Sequence, residues 1–485
     1  MIVLISTACS DDFLDRYPKG RWHRDNYTPD NTLDKKILVE AKLAEAYTTL
    51  RGWPFAWAGL AMHNYTTPDV EKGSTPSDGG EVTQFKPLSY TAGSAVIADY
   101  YSACYKSIYL SNEALALAST LEDAEPLKNK YAAEALFLRS VMYFRLAQAF
   151  GGVSFVDKVL GQNDKTPPRS SREEIWQKIE RDLISAIPLL PTRKALVTSN
   201  NPGRATQNAA RAVLAKVYMY QKNWSGALGI TTAIIASDDN SLNTPYDQIF
   251  TEAFEYGDES VFEVYCEEKP EPDKIYLGSQ FAQIQGIRGI PNLGWGFNAP
   301  SQALMNSYEA GDPRKAASVI ANGDILDGKA VRADASGYKF FNKKVYTKAS
   351  ERGLYGRPAE AQGTWVNIRV IRYADVVLMH AEAALETGNT TEALAKLEMV
   401  RARARGGNNA ILPKMTTMVI DELRAKIHQE RRIELAMEWE RFFDLIRWNE
   451  AKTIPNFVVG KHELFPIPQT EIDKSEGVLT QNPGY

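Results

Sequence analysis

The stretch Arg431–Trp448, RRIELAMEWERFFDLIRW, decides the architecture. Its apolar residues Ile433, Leu435, Ala436, Trp439, Phe442, Phe443, Leu445, Ile446 and Trp448 recur at three- and four-residue intervals, the period of a helix with one wide buried face. Against them stand Arg431, Arg432, Glu434, Glu438, Glu440, Arg441, Asp444 and Arg447, spaced so that acid–base pairs three or four residues apart brace one another. The expectation is a helix packed into a larger α structure.

Outward from this stretch, helical periodicity predicts helices at Asp34–Arg51, Asp99–Leu121, Leu127–Phe150, Arg172–Leu190, Asn208–Gln221 and Asn223–Ser237, and again at Ile368–Thr387, Thr390–Ala404 and Met418–Ala451. Residues 53–95 read as a loop rich in Gly, Pro, Ser and Thr but unusually aromatic, and 238–367 as a long insertion of turn residues and short aromatic runs. Two helix pairs repeat a pattern. Ala209, Leu214, Ala215, Tyr218, Trp224, Ala227 and Leu228 flank Lys222-Asn223, while Tyr373, Leu378, Ala381, Ala383, Leu385, Ala393 and Leu394 flank Gly388-Asn389. Small residues with a spaced aromatic let two helices approach closely, as in tetratricopeptide repeats, and the helices at 34–51 and 99–150 are expected to complete the stack. The fold class is therefore mainly α: tetratricopeptide-like pairs form a scaffold over 34–237 and 368–451, with a loop-rich mixed insertion and a tail at 452–485.

The 485 residues are 44% hydrophobic and 24% charged, ordinary for a globular chain with a sizeable core. A net charge of -4 with mixed signs gives no basic footprint for nucleic acid. No apolar run approaches the roughly twenty residues of a membrane-spanning helix. The first residues, Met1-Ile-Val-Leu-Ile-Ser-Thr-Ala-Cys9, are an apolar run ending in small residues and a cysteine, with Ser10-Asp-Asp12 following. They read as the remnant of a lipoprotein signal over 1–9 with Cys9 as the lipidated residue, although the positive n-region is missing and Ser6 stands where Leu is usual. Cys104 and Cys266 are too far apart in sequence for a disulfide framework or a metal motif.

Arg432-Ile-Glu-Leu-Ala-Met-Glu438, Arg441-Phe-Phe-Asp-Leu-Ile-Arg-Trp448, Leu464-Phe-Pro-Ile-Pro468, Glu471-Ile-Asp473 and Gln481-Asn-Pro-Gly484 together resemble the C-terminal signature of the SusD/RagB family. Ala133–Arg139, Tyr143–Leu146, Phe150-Gly-Gly-Val153, Gly203-Arg-Ala-Thr206, Ile371–Val376 and Ala381-Glu-Ala383 extend the resemblance in order along the chain. It implies a single SusD-like domain over 10–485 and an outer-membrane, surface-exposed lipoprotein of Bacteroidetes-type bacteria. It further implies capture of an extracellular glycan or oligosaccharide, and a SusC-like TonB-dependent transporter as partner. A peptide-binding import lipoprotein and a tetratricopeptide-type protein–protein scaffold are the rival readings.

No catalytic set is legible. His23, His63, His380, His428 and His462 are scattered singly. Gly323–Lys329 imitates a phosphate loop, but Ala330 stands where Ser or Thr would hold magnesium. Gly294–Ala299 imitates a dinucleotide motif with Pro291 where a buried strand would end. No cofactor is expected.

Aromatic rings in loops remain, and a sugar face stacks on such rings while nearby polar groups take its hydroxyls. Trp295, between Gly294 and Gly296, leads the candidates, with Phe297, Asn298, Tyr276, Tyr65, Asn64, Asp69 and Phe85. Trp53, Trp57, Tyr355 and Trp365 belong to the same aromatic set, and Asp78 is a further polar candidate. Asp69, Glu71 and Asp78 are an alternative calcium set, although their spacing is not that of a calcium loop.

Overall fold

A single turn geometry explains the repeated helix pairs. At both Lys222-Asn223 and Gly388-Asn389 the first residue has positive φ, 56° and 85°. The asparagine N–H reaches back to a carbonyl of the preceding helix, Tyr218 at 2.9 Å and Ala384 at 2.8 Å. The asparagine side chain then caps the next helix, accepting from Gly226 N and Glu392 N. A left-handed stop is thus fused to an N-cap, so each helix ends where the next begins.

The computed structural model describes residues 32–122, 125–161, 164–199, 202–268, 276–334, 337–354 and 363–485. Cys9 and Tyr355 lie outside these residues, and for Tyr276 only the backbone is described, in the short strand Tyr276–Leu277. The main helices are α1 (Thr32–Arg51), α2 (Trp53–Gly59), α3 (Ala95–Ser119), α4 (Glu125–Phe150), α5 (Arg172–Ala186), α6 (Gln207–Tyr220), α7 (Trp224–Ala236), α8 (Tyr373–Glu386), α9 (Thr390–Arg405), α10 (Ile420–Glu434) and α11 (Arg441–Arg447). Each packs on the next in the order α1, α3, α4, α5, α6, α7, α8, α9, so the expected helices do complete the stack. The second half of α4, from Tyr131 to Phe150, is buried on nearly every side, as the centre of such a stack requires. Helix α5 starts with a Ser171–Glu174 capping box and gives way at Ala186 to a 3-10 turn through Pro188, earlier than the expected Leu190.

Three expectations need correction. Residues 53–65 are helical: α2 continues into a π-helical turn at Leu60–Tyr65. Pro54 falls in the first turn, where a proline starts a helix and costs no hydrogen bond, so it was no loop signal. Residues Ile368–Arg372 form a strand that runs into α8, because IRVIR, rich in β-branched residues, pairs antiparallel with the buried strand Ser260–Val264. The third correction concerns Arg431–Trp448 itself. The helix stops at Glu434, Met437 and Trp439 take φ of 66° and 70°, and α11 starts at Arg441. The Glu434 carbonyl freed by the break accepts from Arg372 Nη2 at 2.9 Å, Lys344 Nζ at 3.0 Å and the Tyr246 hydroxyl at 3.1 Å.

The charged residues of this stretch do not face solvent. Arg431 pairs with Asp375 at 2.7 Å and Asp444 at 3.1 Å, and Glu434 receives Arg403, Arg372 and Arg314 at 2.6, 3.1 and 3.2 Å. Arg447 reaches Glu382 at 2.5 Å, and only Asp444–Arg447, at 2.7 Å, is a pair within one helix. Most of these side chains are under a tenth exposed, so the stretch joins α8, α9 and the insertion through buried ion pairs.

Two further ties position the site. Val70–Gly73 pairs antiparallel with Phe297–Pro300, holding Gly73 opposite Phe297. The C-terminal tail pins α4: Phe465 N–H donates to Ala149, and the Asn482 amide donates to the carbonyls of Phe150 and Phe465 at 2.9 and 2.7 Å. One hydrophobic core runs from Val39 to Ile467 and includes Cys104 and Cys266, both free thiols.

Candidate functional site

Trp53 and Trp57 are one helical turn apart on α2, and their rings stack at 5.0 Å and 18°. Trp295 closes on Trp53 edge-on, at 5.9 Å and 61°, and Phe297 meets Trp57 at 4.8 Å and 85°. The geometry of Trp295 depends on its two glycines. Its N–H donates to the Gln283 carbonyl at 2.9 Å, which brings Gly294 so close that a Cβ there would lie 2.3 Å from the same oxygen. Gly296, at φ 73°, receives Ser74 N–H on its carbonyl, and a Cβ on it would lie 2.8 Å from the Arg288 side chain. The loop thus presents one ring on an otherwise side-chain-free crossing of three segments.

Polar groups rim the rings. Arg288 joins the three loops around the platform: Nε meets Asp334 at 2.7 Å, Nη1 meets Ser74 Oγ at 2.8 Å, and the same nitrogen pairs with Asp78. Hydrogen bonds from Ser74 and Thr75, with Arg288 beside them, push the Asp78 carboxyl down to about 2, so it is an anion at any working pH. Lys72 donates to the carbonyls of Thr75 and Asp78 at 2.8 and 2.6 Å and lies 5.7 Å over the Phe297 ring. The Trp57 indole N–H is held by Glu81 at 3.1 Å. Trp53 is 39% exposed and Trp295 partly so, with the Arg288 side chain against Gly296, the next residue after Trp295.

The structure separates the remaining candidates from this surface. Phe297 is 5% exposed beneath Trp57. Asn64 and Asn298 are buried in an amide chain: Asn64 Nδ2 donates to Asn298 Oδ1 at 3.0 Å, and Asn298 Nδ2 donates to Gln285 Oε1 at 2.6 Å. Tyr65 and Phe85 are fully buried, Phe85 against Tyr90 and Phe465. Asp69 is buried between Arg432 and Arg441. These six are therefore packed into the interior and offer a ligand no surface; extended backbone signals and aromatic content did not reveal which rings would turn inward. Among the expected calcium oxygens, Asp69 and Asp78 face arginines and Glu71 faces Lys86 at 3.1 Å, and no group of three metal-binding side chains occurs among the described residues. Arg288 was missed, and nothing in its local sequence, Ile287-Arg-Gly289, marks it.

A helical-repeat scaffold that presents a shallow pair of tryptophans ringed by charged side chains is the architecture of a binding protein. The chain belongs to the SusD/RagB family. Residues 258–455 match the model described as the SusD family, and residues 25–219 match the one described as starch-binding associating with outer membrane. It is 24% identical to the SusD-like protein P2 of Formosa agariphila, over 100% of this chain and 98% of that one, and 25% identical to a SusD-like protein of Bacteroides ovatus, over 92% and 80%. Among solved structures it is similar to a laminarin binding SusD-like protein, with TM-score 0.75 and 25% identity over 92% of this chain and 99% of that one. It has the same fold as surface glycan-binding protein A from Bacteroides thetaiotaomicron in complex with laminarihexaose, with TM-score 0.75 and 22% identity over 92% and 98%.

Proposed function

We propose that this chain captures an extracellular glycan on the Trp53–Trp295 platform at the surface of the outer membrane, anchored by lipid on Cys9, and delivers it to a SusC-like TonB-dependent transporter without cleaving it. The observation that carries the reading is the edge-on pair of exposed Trp53 and partly exposed Trp295, with Arg288 against Gly296 next to Trp295 and paired to Asp78 and Asp334. Stacking a sugar on such a ring is worth about 1–3 kcal/mol, so two rings with a few hydrogen bonds give binding in the micromolar-to-millimolar range. Weak binding suits a capture protein that must release its cargo. Asp78 and Asp334 are both engaged by one guanidinium and Glu81 is engaged by the Trp57 indole, which suits recognition better than the unencumbered acid and nucleophile that glycoside cleavage needs. Among the described residues no helix is long and apolar enough to cross a membrane.

Relatives whose names specify a ligand bind laminarin or laminarihexaose, so laminarin is the first polysaccharide to test. Affinity gels containing laminarin and a panel of plant, host and microbial polysaccharides should retard the parent protein in one case and Trp295→Ala in none. Pull-down from outer membranes should bring a TonB-dependent transporter with it. Silence across the panel, or release of reducing sugar, contradicts the reading.

A further inference from the structure

A cavity of about 60 Å³ is walled by Phe55, Val141, Phe281, Val366, Val370 and Trp439. Trp439 packs on Phe55 at 5.8 Å and on Phe281 at 5.9 Å, so the cavity shares its walls with the α2 helix and with the short helix Phe281–Gln285 that carries Gln283. Four charged side chains also reach it: Arg145, Lys344, Arg369 and Glu438. Three of these are paired, Lys344 with Glu438 at 2.6 Å, Arg369 with Glu263 at 3.8 Å, and Glu438 also with Arg372 at 2.7 Å.

Arg145 is the exception. It is 4% exposed, and among the described residues no carboxylate pairs with it. Its one side-chain hydrogen bond goes from Nη1 to Gln148 Oε1 at 3.1 Å, and its remaining contacts are the faces of Phe144 and Trp439, at 5.8 and 5.9 Å. A guanidinium offers five N–H donors and keeps its charge, so most of its donors have no protein acceptor in a place where an unpaired charge is costly. Six other buried arginine side chains, Arg139, Arg314, Arg372, Arg401, Arg431 and Arg447, each meet at least one carboxylate, whereas buried Arg51 bonds the Tyr265 carbonyl and the Thr48 hydroxyl and lines no part of this cavity. His63 is pushed toward its neutral form by burial and by Arg145, so it adds no second cation there.

From the unmatched buried cation and the apolar walls around it, we propose that this cavity is a binding site for a small aliphatic carboxylate, its carboxyl paired with Arg145 and its chain against Phe281, Val366 and Val370. A carboxylate matches the guanidinium fork with two parallel hydrogen bonds, and the apolar side of the cavity at Phe281, Val366 and Val370 suits its alkyl chain and offers no donors to the outer oxygens of a phosphate or sulfate. The volume accommodates an acid of about two to four carbons and excludes a sugar ring. The inference stands on the cavity alone and does not rest on the glycan reading.

Saturation-transfer NMR of the intact protein with propionate tests it, with propionamide as the neutral isostere and sulfate as the competing anion. Transfer to propionate, weak for propionamide, undisturbed by sulfate and lost in both Arg145→Met and Val370→Phe, is the expected result. Val370→Phe fills the cavity and leaves Arg145 in place, so the test holds even where Arg145→Met fails to fold. No transfer to propionate, equal transfer to propionamide, or transfer that survives Val370→Phe overturns the proposal and leaves the cavity to water.

Discussion

Trp295 is held between two glycines that its loop cannot replace without a clash. A Trp295→Ala variant keeps the glycines and the backbone hydrogen bonds, so it should fold as the parent does and lose glycan affinity by tenfold or more, about 1.4 kcal/mol or above, by titration calorimetry. Gly294→Ala makes the opposite change. Its Cβ would strike the Gln283 carbonyl and Gly286, so the loop must shift, at a cost of about 1–3 kcal/mol in urea unfolding and with weaker binding although every ring remains. At this scale the sequence was half legible. Two glycines around a tryptophan mark a constrained ring, and that much can be read directly. Asn64, Tyr65 and Phe85 sit in equally suggestive company, but whether a ring faces water depends on the course of α2, which the Gly52 and Pro54 punctuation hid.

Between elements, the buried ion pairs carry the fold. Arg372 meets Glu434 at 3.1 Å and Glu438 at 2.7 Å, and also pairs with Glu259, so Arg372→Met removes one cation from three carboxylates, leaves them to Arg403, Arg314 and Lys344, and should cost about 3–5 kcal/mol in chemical unfolding. The same network sets an acid limit. Burial alone would raise the Glu434 carboxyl, but Arg403, Arg372 and Arg314 outweigh it and bring it down to about 2. A carboxylate whose folded pKa is depressed adds stability that is complete above its unfolded value, about 4.5, and is lost as pH falls toward 2. Thermal melts should therefore decline below about pH 4.5, and earlier in Arg372→Met. Glu255 behaves in the reverse sense: burial, only partly offset by Arg369, pushes it up to about 8. Its contribution is present below about 4.5 and is lost as pH rises toward 8, so Glu255→Gln should match the parent at pH 5 and melt higher at pH 9. The charges of Arg431–Trp448 were visible in sequence as three- and four-residue pairs. Their actual partners, Asp375, Arg372, Arg403 and Glu382, lie on other elements, and periodicity within one segment contains no information about them.

Across the whole molecule, the helical stack was the most legible feature because its cause is local. The two Asn-capped turns, the Ser171 box and the apolar periodicity each specify a boundary within a few residues, and they agree with one another. The mixed region at 238–367 was not legible in the same way: its described strands are two to five residues long and, apart from short local pairings such as the hairpin at 325–330, pair with partners well separated in sequence, as Ser260–Val264 does with Ile368–Arg372. The platform is assembled from the two regions of weakest local signal, α2 with the 74–81 loop and the 286–296 loop, fastened together by Arg288. Scaffold and site thus divide the chain into a part fixed by local rules and a part fixed by long-range ties. Exposed Trp53 and partly exposed Trp295 are proposed to form one carbohydrate platform. Calorimetric titration of laminarin, or of the panel polysaccharide that the gels select, into parent, Trp53→Ala and Trp295→Ala proteins tests it most directly. The account predicts measurable binding by the parent and at least a tenfold loss in each variant with unchanged melting temperature. Full affinity retained in both folded variants would contradict it.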